Sequence, residues 1–328
     1  MDPLVTLVVP TLNGSDYIRE TVSSALAQDY SNLDILISDN GSRDDTLELV
    51  RSLTKGDPRV RFRRNPTTVP IYTHFNQCVG DARGEFLTVL DDDDAIGPNF
   101  ISATVRVALQ YPDVNVVVPR NIIVDANGVI TTELATPQET VLDGVEFVCH
   151  WLYGRAPAYF ASVGTVLSRT AVVRHFGGYQ AFERGRNIDN LLFLQCAIGG
   201  RVGFAHDALF RWRVYERSYA ASPPLRQLAA ASRGFVRHME RDPRMVAALG
   251  KLTFERRNEV VNGVRLMAAN ELLHLTKFYE EPISIAKLRK LFIFPIHPLY
   301  YWLILEHYWS RIRGRSRQEA AGARLDGV

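Results

Sequence analysis

Five short β-rich runs alternate with helical patterns over the first 118 residues, and that alternation restricts the fold more than any other feature of the chain. The runs are LVTLVV (4–9), LDILIS (33–38), VRFRR (60–64), FLTVL (86–90) and VNVVV (114–118). Between them Ile18, Val22, Ala25 and Leu26 recur at i, i+4, i+7 and i+8, and Ile101, Val105, Ala108 and Leu109 repeat the spacing. That is the period of a helix with one apolar face. Ser15 or Asp16 is placed to cap the first helix, and Pro98 stands where helices favour it, at the start of the other. The pattern predicts an α/β fold with a mainly parallel central sheet covered on both faces. Ligands of such sheets gather at the carboxyl ends of the strands.

From residue 119 the pattern changes. NIIVDANGVITTEL holds Asn127-Gly128 between two β-rich arms, which predicts a hairpin with a tight turn. VGTVLS (163–168), a short helix to FGGY (176–179), a helix through DNLLFLQCAIGG, and strands in RVGFAH and LFRWRVY then form a second lobe on the same sheet. After SPP (222–224) the chain is helical and more basic. The expected units are therefore 1–118, 119–222 and 223–328.

Composition narrows the function classes. With 46% apolar and 23% charged residues in 328, the chain is an ordinary globular protein. A net charge of +2 is too small to indicate a nucleic-acid partner. Cys78, Cys149 and Cys196 are far apart, lack metal-type spacing and cannot all pair within the chain, which fits a reducing compartment. The start, MDPLVTLVVP, carries an acid where a signal peptide needs positive charge, and Thr6 interrupts its apolar stretch. The expectation is a cytoplasmic protein.

The most unusual stretch is LDDDDAIGP (90–98), with four carboxylates directly behind an apolar run. If the strand continues through it, Asp91 and Asp93 share one face, ~6–7 Å apart, and Asp92 and Asp94 share the other. Two such carboxylates suit Mg²⁺ or Mn²⁺ together with a substrate diphosphate. An acidic turn favouring the following helix N-terminus is the plainer alternative. An EF-hand loop fits less well, since its Gly and Glu positions hold Ile96 and Ser102. Two further strand ends are polar: VPTLNGSDYI offers Pro10, which should break the ladder, with Thr11 and Asn13, and SDNGSRDDT offers Asp39 before an Asn-Gly turn. Three polar strand ends on one sheet edge predict a cleft.

As an ordered set, LVVPTLNGSDYIRETVSSALAQDYSNLDILISDNGSRDDT, NQCVGDARGEFLTVLDDDDAI, TVLSRTAVVRHFGGY and NIDNLLFLQCAIGGRVGF resemble the family 2 inverting glycosyltransferases of GT-A fold. The resemblance reaches to about residue 215. It implies a Rossmann-like nucleotide-sugar half (1–118), an acceptor and catalytic half (119–222), and a nucleoside diphosphate sugar as donor. Pro10, Thr11 and Asn13 would lie along the nucleotide, and Asp39 would accept from base or ribose. Asp91 and Asp93 would be the acids of a D-x-D motif, Asp93 the more direct ligand of Mn²⁺ or Mg²⁺, with Asp92 in the variable middle place beside the donor. Asp189 matches the catalytic base of the family's Glu-Asp motif, although Ile188 replaces the Glu. Arg213 would pair with the diphosphate, while Tyr215 stands where the family often has His. Asn76 would hold the donor loop or cap its own helix. The acceptor would be a carbohydrate or a glycolipid, in cell-surface polysaccharide or glycolipid synthesis.

Two other classes stay open on the residues alone. An aspartyl phosphotransferase would use Asp91 as a covalent phosphate carrier, and a non-catalytic sugar-nucleotide-binding protein would keep the fold without turnover. In the C-terminal region, residues 283–328 hold eight Lys/Arg against three Asp/Glu. Within it, 287–317 packs aromatic and aliphatic residues between basic clusters. Its apolar core is shorter than a membrane span and holds Pro295 and Pro298. Contact with an anionic membrane surface, closure of the core, and an oligomer contact are all open there.

Overall fold

In the computed structural model the described residues are 2–153, 165–182, 187–216 and 225–275. Strand and helix alternate as expected through β1 (Val5–Thr11), α1 (Ile18–Leu26), β2 (Leu33–Asp39), α2 (Thr46–Leu53), β3 (Val60–Arg64), α3 (Ile71–Asp81) and β4 (Phe86–Val89). There follow β5 (Ala95–Ile96), α4 (Phe100–Gln110), β6 (Val114–Val124), β7 (Ile130–Glu133), β8 (Val141–Asp143), α5 (Gly144–Tyr153), β9 (Leu167–Arg169) and α6 (Thr170–His175). The chain continues through α7 (Ile188–Ile198), β10 (Arg201–Arg213), α8 (Leu225–Arg241), α9 (Pro243–Gly250) and α10 (Phe254–Leu275).

One sheet runs in the order β3-β2-β1-β4-β9-β6-β10-β5, with β7 beside β6 and β8 beside β10. The expected parallel pairings hold among β3, β2, β1 and β4 and again between β6 and β10. Between these two parallel blocks β9 is wedged antiparallel to both β4 and β6. All seven residues of β1 and of β2 are buried, because each face of the sheet carries its own core. Leu7, Val9, Ile35 and Ile37 pack under α1 and α4, whereas Val8, Leu36, Val116 and Phe204 pack against α5, α7 and the C-terminal helices. Double-sided burial is why these strands read as continuous apolar runs in place of alternating ones.

Several local expectations change. Pro10 does not break the ladder: β1 runs on to Thr11, with Pro10 opposite Ser38, and its pairing with β4 has already ended at Val8. Neither Ser15 nor Asp16 caps α1; Tyr17 holds that position without a side-chain hydrogen bond. Pro98 lies in the turn before Asn99, which is the N-cap of α4. The β6–β7 hairpin exists, but its loop is wider than a two-residue turn. Asp125 Oδ1 accepts from the N–H groups of Asn127 and Val129, and Gly128 takes the positive φ of 81°. The two strands expected in 201–215 are one, β10, with a register irregularity between Ala205 and Leu209. The three cysteines are free and buried. Segment 287–317 lies outside the described residues, and among those described no helix is long and apolar enough to cross a membrane.

Candidate active site

The strand ends that converge are those of β1, β2 and β4. The apolar run of β4 stops at Val89, and Asp91 to Asp94 form a turn closed by the Asp94 N–H on the Asp91 carbonyl at 3.1 Å. Strand alternation therefore does not sort these acids by face, contrary to the expectation. Each has its own surroundings. Asp92 Oδ2 accepts from Thr11 Oγ1 at 2.5 Å and from the Leu12 N–H at 3.3 Å, tying the acidic turn to the end of β1. A Cβ on Gly14 would lie 2.3 Å from that same oxygen, so the approach requires glycine. Asp94 is buried, and its Oδ1 accepts from the Arg213 N–H at 2.8 Å. Its carbonyl accepts from Thr21 Oγ1 at 2.7 Å.

Arg213 is also placed differently from the expected diphosphate contact. It is buried, and its Nε donates to the Asp93 carbonyl at 2.9 Å. Its Nη1 donates to the Asp125 and Ala126 carbonyls at 3.1 Å each, and Nη2 pairs with Glu20. The guanidinium lies 4.6 Å from the centre of the Tyr17 ring, and the Tyr17 and Tyr215 rings are 5.0 Å apart. Arg213 thus clamps the acidic turn to α1 and to the β6–β7 hairpin. Tyr215 reaches the turn from the same strand end, its hydroxyl donating to the Asp93 carboxylate.

The crowding has an electrostatic consequence. Burial, and then the charges of Asp93, Asp92 and Asp189, push Asp91 well above the usual carboxylate range. Asp92 is pushed up to about 6, chiefly by burial against the opposing Thr11 hydrogen bond. Burial also raises Asp93, opposed by the Tyr215 hydrogen bond and the Arg213 charge. Burial raises Asp94 too, with Asp93 and Asp91 adding to it. Four carboxylates held in one turn stabilise any positive charge brought to them.

The end of β2 is built separately. Asn13 adopts a left-handed backbone, φ 54°, which asparagine tolerates better than most residues. Its N–H donates to Ser42 Oγ and its Oδ1 accepts from the Arg43 N–H, both at 2.9 Å, so the loops after β1 and β2 are cross-linked. Asp39 is buried. Its Oδ1 accepts from the Ser42 N–H at 2.8 Å, whereas Oδ2 has no aligned hydrogen bond and faces Arg64 Nε at 3.1 Å.

Asp189 stands in the first turn of α7, after Asn187 in a left-handed conformation (φ 61°). Its Oδ1 accepts the Asn190 N–H at 2.8 Å. Asp91 and Asp189 act on one another electrostatically, and both act on the buried Tyr179 hydroxyl. Asp189 lines a cavity with Val89, the last residue of β4. Tyr179 was not singled out by sequence; FGGY signalled only a turn. Asn76 does not cap α3, whose N-cap is Pro70: its Nδ2 donates to the Tyr179 carbonyl at 2.7 Å, and its Oδ1 accepts the Tyr179 N–H at 2.8 Å. Gly178, at φ 69°, has no space for a Cβ, which would lie 2.2 Å from Asn76 Oδ1. A cavity of ≈ 30 Å³ is lined by Val89, Ser168, Tyr179, Asp189 and Phe193 among others, enough for one or two waters.

Residues 6–152 match the sequence profile described as Glycosyl transferase family 2. That match covers somewhat less than half of the chain, from β1 to α5. Among relatives, Hyaluronan synthase of Pasteurella multocida is 35% identical over 104 residues, 32% of this chain and 11% of that one. GalNAc(5)-diNAcBac-PP-undecaprenol beta-1,3-glucosyltransferase of Campylobacter jejuni is 33% identical over 108 residues, 32% of this chain and 35% of that one. In both cases the match spans a minor part of the relative. Staphylococcus aureus TarS 1-349 in complex with UDP-GlcNAc superposes with TM-score 0.55 at 16% identity, covering 84% of this chain and 91% of the other. The mannosyltransferase PcManGT from Pyrobaculum calidifontis, in complex with GDP-Man and Mn²⁺, gives 0.54 at 16% identity, covering 94% and 85%. These likenesses are of fold, and the fold is GT-A. At the two positions where the sequence departs from the resemblance, Ile188 is buried beside Asp189 and Tyr215 touches Asp93.

Proposed function

We propose that the chain is a metal-dependent inverting glycosyltransferase that moves a sugar from a nucleoside diphosphate to a hydroxyl of a carbohydrate or glycolipid acceptor. The observation that carries this reading is the cavity that Asp189 shares with Val89, the last residue of β4, directly before the acidic turn. A base and a diphosphate-facing acidic turn in one cleft supply the two sides that a displacement with inversion needs.

The donor set fits a hard divalent cation. Asp92 Oδ2 is held by Thr11 and Leu12, and Asp94 Oδ1 by Arg213; the Asp91 carboxylate and the lone pairs of Asp93 that Tyr215 does not use would hold Mn²⁺ or Mg²⁺. Among the described residues no three His, Cys, Asp or Glu side chains converge as a ready-made cage. That suits an ion bound through one or two carboxylates plus waters and substrate phosphates. When bound, the ion supplies positive charge that offsets the charge growing on the departing diphosphate. PcManGT, in complex with GDP-Man and Mn²⁺, supports the same assignment.

The chain's own residues do the rest. Tyr215 and Arg213 fix the side chain and backbone of Asp93, and the edge formed by Pro10, Thr11, Asn13 and Asp39 runs along the nucleotide. Asp189 takes the proton of the acceptor hydroxyl as its oxygen bonds to the anomeric carbon. The bond from that carbon to the diphosphate oxygen breaks, and its electron pair leaves with the diphosphate. The name of the Campylobacter relative, acting on an undecaprenol-linked glycan, supports a lipid-linked acceptor for the synthesis of a surface glycan. Such an acceptor would bring the enzyme to the cytoplasmic face of a membrane, with 287–317 as the contacting segment.

The test is the anomeric configuration of the first product, read by proton NMR with and without chelator. Inverted product, abolished by EDTA and restored by Mn²⁺, is expected; retained configuration or EDTA-insensitive turnover contradicts the reading.

A further inference from the structure

Asp39 and Arg64 are register partners at the carboxyl ends of the parallel strands β2 and β3, so their side chains leave the sheet on the same side. The guanidinium is anchored along one edge. Its Nε faces Asp39 Oδ2 at 3.1 Å, and its Nη2 donates to the Ser42 carbonyl at 2.9 Å. Nη1 has no partner among the described residues, and the side chain is 50% exposed while Asp39 is 2% exposed. The surrounding frame is fixed. The Asn65 N–H donates to the Asp39 carbonyl at 2.8 Å, Asn65 Nδ2 donates to Asn40 Oδ1 at 2.9 Å, and Asn40 Nδ2 donates to the Val69 carbonyl at 2.9 Å. Gly41, at φ 87°, lets this turn lie against Thr67 and Thr68.

A guanidinium has two edges that can each make paired hydrogen bonds. With Nη2 on the Ser42 carbonyl and Nε held by the charge of Asp39 without an aligned hydrogen bond, the Nη1/Nη2 end is left with two parallel N–H donors directed away from that side. Such a fork fits two adjacent acceptors on a planar ring, and O6 and N7 of guanine are the commonest such pair for arginine. Uracil offers no adjacent pair of acceptors, and the adjacent acceptors of cytosine, O2 and N3, include the one nearest the ribose. Asp39, with Oδ1 on Ser42 and Oδ2 on Arg64, then acts as the anchor of the reading residue.

We propose that Arg64, held by Asp39 and Ser42, reads the donor nucleobase and selects guanine, which makes the donor a guanosine diphosphate sugar. The inference rests on the donor-binding reading above. It is tested by calorimetric titration of the full chain with GDP, UDP, CDP, ADP and 7-deaza-GDP in the presence of Mn²⁺. GDP is expected to bind tightest, with at least about tenfold loss in Arg64→Ala and in Arg64→Lys, which lacks the fork. 7-Deaza-GDP, lacking the N7 acceptor, should bind more weakly than GDP to wild type but equally to Arg64→Ala, and UDP should be indifferent to the substitution. Tighter UDP than GDP in wild type, or unchanged GDP affinity in Arg64→Ala, overturns the role of Arg64 and leaves the transferase reading standing. Failure of every nucleotide to bind wild type overturns both.

Discussion

His74 sits on α3 behind the nucleotide edge, buried, with Nε2 2.8 Å from Ser38 Oγ. Burial, and then the nearby Arg63 charge, lower its pKa from 6.5 to about 4, with Asp39 opposing. Because the folded value lies below the unfolded one, the unfolded chain binds the proton first. The resulting stability is present above pH 6.5 and lost as pH falls toward 4. Relative to His74→Gln, wild type should lose about 3 kcal/mol of unfolding free energy between pH 7 and pH 4; parallel urea-denaturation profiles for the two would contradict this. At this scale the sequence marks Asp39, Asp91, Asp93 and Asp189 as candidates by their intrinsic chemistry. It does not mark Tyr179 or Arg64, whose surroundings are set by other elements. Arg213 was recognised as a residue that matters, but a strand position does not reveal whether an arginine points to solvent or inward.

At the scale of elements, the acidic turn is held by β10 and α1 through one side chain. Arg213 neutralises part of the acidic charge and satisfies the carbonyls of Asp93, Asp125 and Ala126. Arg213→Ala leaves those carbonyls and Glu20 without their donor and should destabilise the fold by on the order of 3 kcal/mol. Arg213→Lys should recover little, since an ammonium cannot reach four acceptors in a fork. Urea denaturation of both variants checks this, and a fully stable Lys variant would show that charge alone suffices. The strands buried on both faces were legible because apolar runs of that kind have few other homes. The end of β4 was not, since Leu90 continues the apolar run beyond the last ladder residue. β5 has only two residues and depends on pairing with β10, so no local pattern announces it.

For the whole molecule, the C-terminal helices are part of the same structure as the sheet. Phe235 of α8 is fully buried in the core shared with α7 and packs edge-on against Phe182, ring centres 6.2 Å apart. Gln195 of α7 meets His238 of α8 at 3.0 Å, and α10 packs on α5 with the Tyr153 hydroxyl donating to the Glu259 carbonyl at 3.0 Å. Phe235→Ala should cost about 3–5 kcal/mol and lower the melting temperature in a single transition. Two separate transitions would mean that the helical region folds apart from the sheet. The sequence marked this region as helical and basic but gave no sign of which face meets α7. The apolar partners that decide it lie more than thirty residues earlier in the chain.

In the proposed reaction Asp189 removes the acceptor proton while the donor is held elsewhere, along the β1, β2 and β4 strand ends. Donor affinity and single-turnover rate, measured side by side for wild type and Asp189→Asn, test it most directly. Unchanged donor affinity with turnover lowered at least ~10²-fold, the usual worth of a positioned general base, is the expected result. Wild-type turnover in the variant, or loss of donor binding with it, would contradict a role for Asp189 as the base.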